Sequence, residues 1–186
     1  MAGRKHWHVL KVRPTFEEVA ARELRSRQFE VLLPENPQKS GRNGSTHNFL
    51  FPGHLLCRLD LADRQSVLSV PGVLCIVGVP RPMPMDDGDV RAIQTTALIP
   101  LPRKVVQRQT RPARRVRVLS GPLRGTRGEV FELDGRIQFG IDIQPIGKTL
   151  AFDAEEWSLR AMGNSPGTRA ARSGRAHRPR QQHVRS

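Results

Sequence analysis

A chain of 186 residues has room for one domain or two small ones, and a formal charge of +14 at pH 7 points to a polyanion partner, most often nucleic acid. A hydrophobic fraction of 37% with 5% aromatics allows only modest cores. No window approaches the ~18 apolar residues of a membrane span, and Met1 to His8 is followed by no apolar run of the secretory kind, so a cytoplasmic protein is expected.

Trp7 to Val12 reads as a short central strand, apolar on both faces and ended by Pro14. Thr15 and Glu18 are spaced as a capping box, and Phe16, Val19, Ala20 and Leu24 follow at helical spacing to about Arg27. Glu30 to Leu33 is a second strand stopped by Pro34, and 35–48 reads as a polar loop. In Phe49 to Leu61, Leu55, Cys57, Leu59 and Leu61 alternate with His54, Leu56, Arg58 and Asp60. The first set is expected inside and the second on a solvent-side face, where Phe51, His54 and Leu56 form a candidate contact patch. Asp63 to Val70 is a short helix and Val73 to Val77 a buried strand. Asp86 to Ala97 is a helix with acids in its first turn and a stripe of Val90, Ile93 and Ala97. Cys57 and Cys75 both lie in apolar runs and are expected as buried free thiols. The order β-α-β-β-α-β-α makes residues 5–98 an α+β domain, an α/β sandwich.

Residues 100–117 carry 7 basic groups and no acid, so 99–114, with its prolines, reads as a basic linker. Beyond it the pattern changes to strands alone. Val116 and Val118 lead to a Gly121-Pro122 turn, with Gly125 and Gly128 following. Glu129 to Leu133 and Ile137 to Ile143 flank Asp134-Gly135, the signature of a two-residue hairpin turn. Pro145 to Gly147 turns the chain back into Thr149 to Phe152, and Asp153 to Trp157 forms one helical turn. The expected second domain, 115–161, is an all-β SH3-like small barrel. Its segment 118–162 holds 5 basic and 7 acidic groups, whereas 163–186 has 6 Arg and no acid. Residues 162–186 therefore read as a disordered Arg-rich tail.

Catalytic and metal patterns fail on spacing. Gly147-Lys148-Thr149 mimics the end of a phosphate-binding loop, but the glycine required five residues before the lysine is Ile143. His6 and His8 have no Cys or acidic companions, and Glu17-Glu18 is a solvated helix start. No Ser/His/Asp or Cys/His set is identifiable, so neither an enzyme nor a cofactor or metal site is expected.

Two blocks carry a family resemblance. Trp7, Val9, Leu10, Val12 and Arg13, then Glu23-Leu24-Arg25, Glu30 to Pro34, Leu50-Phe51-Pro52-Gly53, Pro71-Gly72-Val73 and Val77-Gly78 resemble the N-terminal (NGN) domain of NusG-type transcription factors. Val116 to Val130 resembles the KOW motif that opens the same family's small barrel. Ser120 to Leu123 and Ile141-Asp142-Ile143 are similar to the specialised antitermination paralogues of the UpxY and LoaP type. The resemblance implies a monomeric elongation and antitermination factor. Its first domain would bind the β′ clamp helices of RNA polymerase through Trp7, Phe51, Pro52, His54 and Leu56, with Asp63 to Ser66 near the gate loop. Its barrel would recruit Rho or a ribosomal protein through Leu123, Arg124, Gly125 and Thr126 and through Ile146, Gly147 and Lys148. The general factor has Phe where Leu123 and Ile146 stand, and their loss fits an antiterminator better than a termination helper. Arg103, Lys104, Arg108, Arg111, Arg114, Arg115 and Arg117, with the tail, are expected to touch DNA or RNA without sequence preference. The alternative is a ribosomal-type or RNA-binding KOW protein with a structural role.

Overall fold

The computed structural model describes residues 4–35, 49–78, 81–98, 103–107 and 114–162. The expected 35–48 loop, most of the proposed linker and the Arg-rich tail lie largely or wholly outside them. The first unit runs β1 (His6–Val12), α1 (Glu17–Ser26), β2 (Glu30–Leu32), β3 (His54–Leu59), α2 (Arg64–Leu68), β4 (Val73–Ile76), β5 (Pro84–Met85) and α3 (Asp87–Leu98). Its sheet has the order β2-β3-β1-β4, with β5 also on β1, and all its pairings are antiparallel. β1 is central because both its faces are apolar: Leu10 and Val12 join Leu24, Leu55, Cys57 and Leu59 in one core, and Trp7 and Val9 join Leu56, Val90 and Ile93 in another.

The second unit is all-β, with β6 (Arg103–Gln107), β7 (Arg114–Val118), β8 (Arg127–Leu133), β9 (Arg136–Ile143), β10 (Lys148–Asp153) and β11 (Leu159–Ala161). They form a six-stranded antiparallel sheet in the order β11-β7-β8-β9-β10-β6. Asp134 and Gly135 adopt φ of 53° and 74°, the left-handed pair that a tight hairpin turn between β8 and β9 requires. Phe139, Phe152 and Trp157 meet inside, with centroids 5.7–6.1 Å apart. This is the α+β plus all-β organisation expected from the sequence.

Four local expectations are corrected. Residues 103–107 are not linker but a strand paired with β10, since a run of Val105 and Val106 between polar ends completes the sheet edge. The Thr15 cap does not form: Phe16 occupies the cap position with no side-chain hydrogen bond, Thr15 itself has φ of 72°, and Glu17 is drawn inward instead. Val19, placed on the buried stripe, is exposed, and Ala20, Ala21 and Leu24 make the contact. Cys57 is buried as expected, but Cys75 is exposed, because β4 is an edge strand that also presents Leu74 to solvent.

Candidate functional site

The turn before β3 is tied to the first helix. The Gly53 amide donates to Glu17 Oε1 at 2.9 Å, the Val12 amide donates to the Gly53 carbonyl at 2.8 Å, and the His54 amide returns to the Phe51 carbonyl at 3.0 Å. Gly53 has φ of +75°, a conformation that a side chain would strain. These bonds fix Phe51 to His54 as a rigid corner beside β1.

The corner does not present the apolar patch that alternation alone suggested. Trp7, Phe51 and Leu56 retain only 5%, 3% and 1% of their surface. Leu56 is therefore core, not solvent-side. It lies opposite Val9 in the sheet, on a face that carries a second apolar layer with Val90 and Ile93. Pro52 is exposed, and His54 is half-buried with Nδ1 donating to the Pro52 carbonyl at 3.0 Å. Burial lowers the His54 pKa, and Lys11 and Lys148 act in the same direction, while the Pro52 carbonyl and Glu17 oppose them. Asp63, Arg64, Gln65 and Ser66 are spread over the 3-10 turn before α2 and its first residues, half-buried or exposed.

The same apolar cluster continues into the second sheet through Val116, Val118, Leu123, Phe139, Ile141 and Ile143. So the two predicted sites border one shared apolar cluster. Leu123 keeps 1% of its surface, and Ile146 is partly buried against the cluster. Around them Arg124 and Gly125 are exposed, Thr126, Gly147 and Lys148 are intermediate, and the Gly125 amide closes the turn onto the Val118 carbonyl at 2.9 Å. Between the two units lies a cleft of about 480 Å³ lined by Asp86, Gly88 and Asp89 on one side and Arg117, Gly125, Thr126 and Arg127 on the other. Burial raises the Asp89 pKa, as do Asp86 and Asp142, against the pull of Arg127.

Of the predicted cationic set, Lys104, Arg114, Arg115 and Arg117 are exposed. Lys104 lies 3.8 Å from Asp134, and Arg115 lies 3.9 Å from Glu129. Arg103 belongs to β6, and Arg108 and Arg111 lie outside the described residues. His6 and His8 share a face of β1 but part company in burial, His6 exposed and His8 enclosed.

Residues 5–94 match the family described as transcription termination factor NusG. The transcription termination/antitermination protein NusG of Thermus thermophilus is 29% identical over 125 residues, which covers 60% of this chain and 68% of that protein. Its counterpart in Staphylococcus aureus strain Mu50 is 27% identical over 150 residues, covering 71% and 81%. Among solved structures, one described as a domain interaction in Thermotoga maritima NusG aligns over 86% of this chain and 93% of that one, at 18% identity and a TM-score of 0.42. An MjSpt4:Spt5 complex aligns over 86% and 99%, at 13% identity and a TM-score of 0.33.

Proposed function

Because the chain is a NusG-type protein, a transcription termination/antitermination factor by kind, we propose that it binds RNA polymerase at the β′ clamp helices through the corner around Phe51 to Leu56 together with Trp7. The observation that carries this reading is that the family match over 5–94 contains the whole corner and the strand it is tied to. Pro52 and His54 offer the accessible part of the face, and Lys11 and Lys148 give it a cationic rim. The apolar part, Trp7, Phe51 and Leu56, is buried in the cluster shared with the second sheet. Full engagement of that part therefore requires the shared cluster to open, and Leu56, packed with Val9, Val90 and Ile93 of its own unit, is its least accessible member.

On this reading the first unit suppresses pausing or termination on the polymerase. The second unit recruits a further protein, Rho or a ribosomal protein, through the Leu123–Thr126 and Ile146–Lys148 turns. Their aliphatic residues, where the general factor has aromatics, favour antitermination over help to Rho, in keeping with a specialised paralogue. On this reading the two domains are 5–98 and an SH3-like barrel over 115–161, and the strand at 103–107 pairs with β10 of the second. The basic stretch Arg103 to Arg117 adds salt-sensitive contact with DNA or RNA. The protein acts in the cytoplasm as a monomer and without catalysis of its own.

The test is binding of core RNA polymerase to the full chain by surface-immobilised titration, with Pro52→Glu and His54→Glu as variants. Pro52 is exposed, so loss of binding by Pro52→Glu reports the contact, whereas His54 is half-buried near Glu17, so a thermal melt of His54→Glu accompanies its titration to separate lost binding from lost folding. Absence of binding by the native chain, or native-like binding by both variants, refutes the assignment.

A further inference from the structure

The register of the second sheet places three arginines side by side. Arg160 on β11 is the direct partner of Arg117 on β7, and Arg117 is in turn the direct partner of Arg127 on β8. Directly paired residues share a face of a sheet, with Cβ atoms ~5 Å apart. All three are exposed, and their neighbours Val116 and Val118 on β7 point the other way, into the core. Among the described residues none of the three side chains makes an ion pair or hydrogen bond.

Like charges directly opposite one another destabilise a sheet. Two such pairs in one row oppose folding, and nothing in the core depends on them. Glu129 belongs to the next pair along, beside Arg115, and Asp86 and Asp89 stand across the cleft from Arg117 and Arg127, where Arg127 attracts Asp89 without a salt-bridge contact. Those two aspartates show which sign of charge the row attracts.

We propose that Arg160, Arg117 and Arg127 form a phosphate-binding row that grips the backbone of duplex DNA. Adjacent strands lie ~4.8 Å apart, so three guanidinium groups span roughly 10 Å in a line and can follow two or three successive phosphates. The row contains no aromatic or amide side chain that could stack on a base or read its edge. The half-exposed Phe131 on β8 is laid over Gly140 of its own sheet. A flat, regular line of cations without stacking partners fits the fixed, outward-facing backbone of a duplex better than a flexible single strand, whose binding draws on base–aromatic stacking. The row differs from the basic stretch read in the sequence. It shares only Arg117 with it, and the other two arginines come from a segment, 118–162, whose acids outnumber its bases. It is also independent of the polymerase contact, so failure of one leaves the other standing.

The experiment is fluorescence anisotropy of the full chain with a labelled 20-base-pair duplex of arbitrary sequence, titrated across salt concentration. The variants are a triple Arg117→Gln, Arg127→Gln, Arg160→Gln and a charge-matched control, Arg22→Gln, Arg81→Gln, Arg136→Gln, at exposed positions off the row. The expected result is a log–log salt slope reduced by about 0.9 per lost phosphate contact, ~1.8 to ~2.7 for the row variant. Affinity near 0.1 M salt should fall by roughly tenfold or more, with much smaller changes in the control. A thermal melt of the row variant should show equal or higher stability, which separates lost binding from lost folding. Equal effects of the two triples would overturn the row as a site. A loss seen with single-stranded RNA of the same length but not with the duplex would overturn duplex DNA as its occupant.

Discussion

Leu56 separates two accounts of the corner, and its truncation decides between them. If Leu56 belonged to an exposed patch, Leu56→Ala would change stability by no more than about 0.5 kcal/mol. The structure instead leaves it 1% of its surface, paired with Val9 and clustered with Val90 and Ile93. Removing three buried carbons forfeits roughly 2 kcal/mol of transfer free energy. The residual cavity adds to this, giving about 3 kcal/mol within the 2–5 kcal/mol range of such changes. For a unit of under 100 residues that is a fall in Tm on the order of 12–24 °C. The assay is urea unfolding of the full chain in a Trp157→Phe background, so that Trp7, on the first sheet, is the sole tryptophan reporter. The midpoint should drop with the slope unchanged, while Leu61→Ala, at a site 46% exposed, should leave it within about 0.5 kcal/mol. Equal, small effects of the two truncations would refute the burial of Leu56 and restore the exposed-patch account.

Gly128→Ala should destabilise the second unit by at least about 2 kcal/mol, because its Cβ would meet the Gly140 carbonyl and the Phe139 ring; a thermal melt followed through Trp157 reads this, and an unchanged Tm would contradict the packing. Burial lowers the pKa of both His8 and His54. A depressed histidine pKa means the unfolded chain takes up the proton first, so their contribution is intact above about pH 6.5 and is lost as pH falls below it toward the folded values. Asp89, shifted up, acts in the opposite sense nearer the carboxylate range. Urea midpoints should therefore decline between pH 7 and 5.5, and a His8→Gln variant should show a shallower decline. Burial pushes the Cys57 thiol up to about 12, whereas Cys75 is exposed, so iodoacetamide at pH 8 should add one label per native chain, at Cys75; rapid labelling of Cys57 would contradict its burial.

The sequence carried the architecture where local chemistry and periodicity agreed. The two-faced apolar pattern of β1, the acid-led α3 and the Asp134-Gly135 hairpin all stand as read. It misled where a side chain's fate depended on what lay across the sheet. Leu56 looked solvent-facing because its own strand alternates, yet β1 had already shown apolar residues on both faces, and the partner of Val9 had to share that second layer. Val73 to Ile76 looked buried because it is continuously apolar, but only pairing order reveals that it lies at an edge. The strand at 103–107 was hidden by the prolines that precede it, Pro100 and Pro102, and by its charges, since its pairing with β10 is a long-range contact with no local signal. For the same reason the arginine row was illegible: Arg117, Arg127 and Arg160 are scattered in sequence, and only register aligns them.

The central claim is that the corner of the first unit is the polymerase-binding face. Hydrogen–deuterium exchange of the full chain with and without core RNA polymerase tests it most directly, because it reads which backbone segments are covered without altering any residue. The account predicts slowed exchange at 49–56 and the adjoining β1, with faster exchange at the 123–126 and 146–148 turns as the second sheet leaves the shared cluster. Slowed exchange confined to the second sheet, or no change at 49–56, would contradict it.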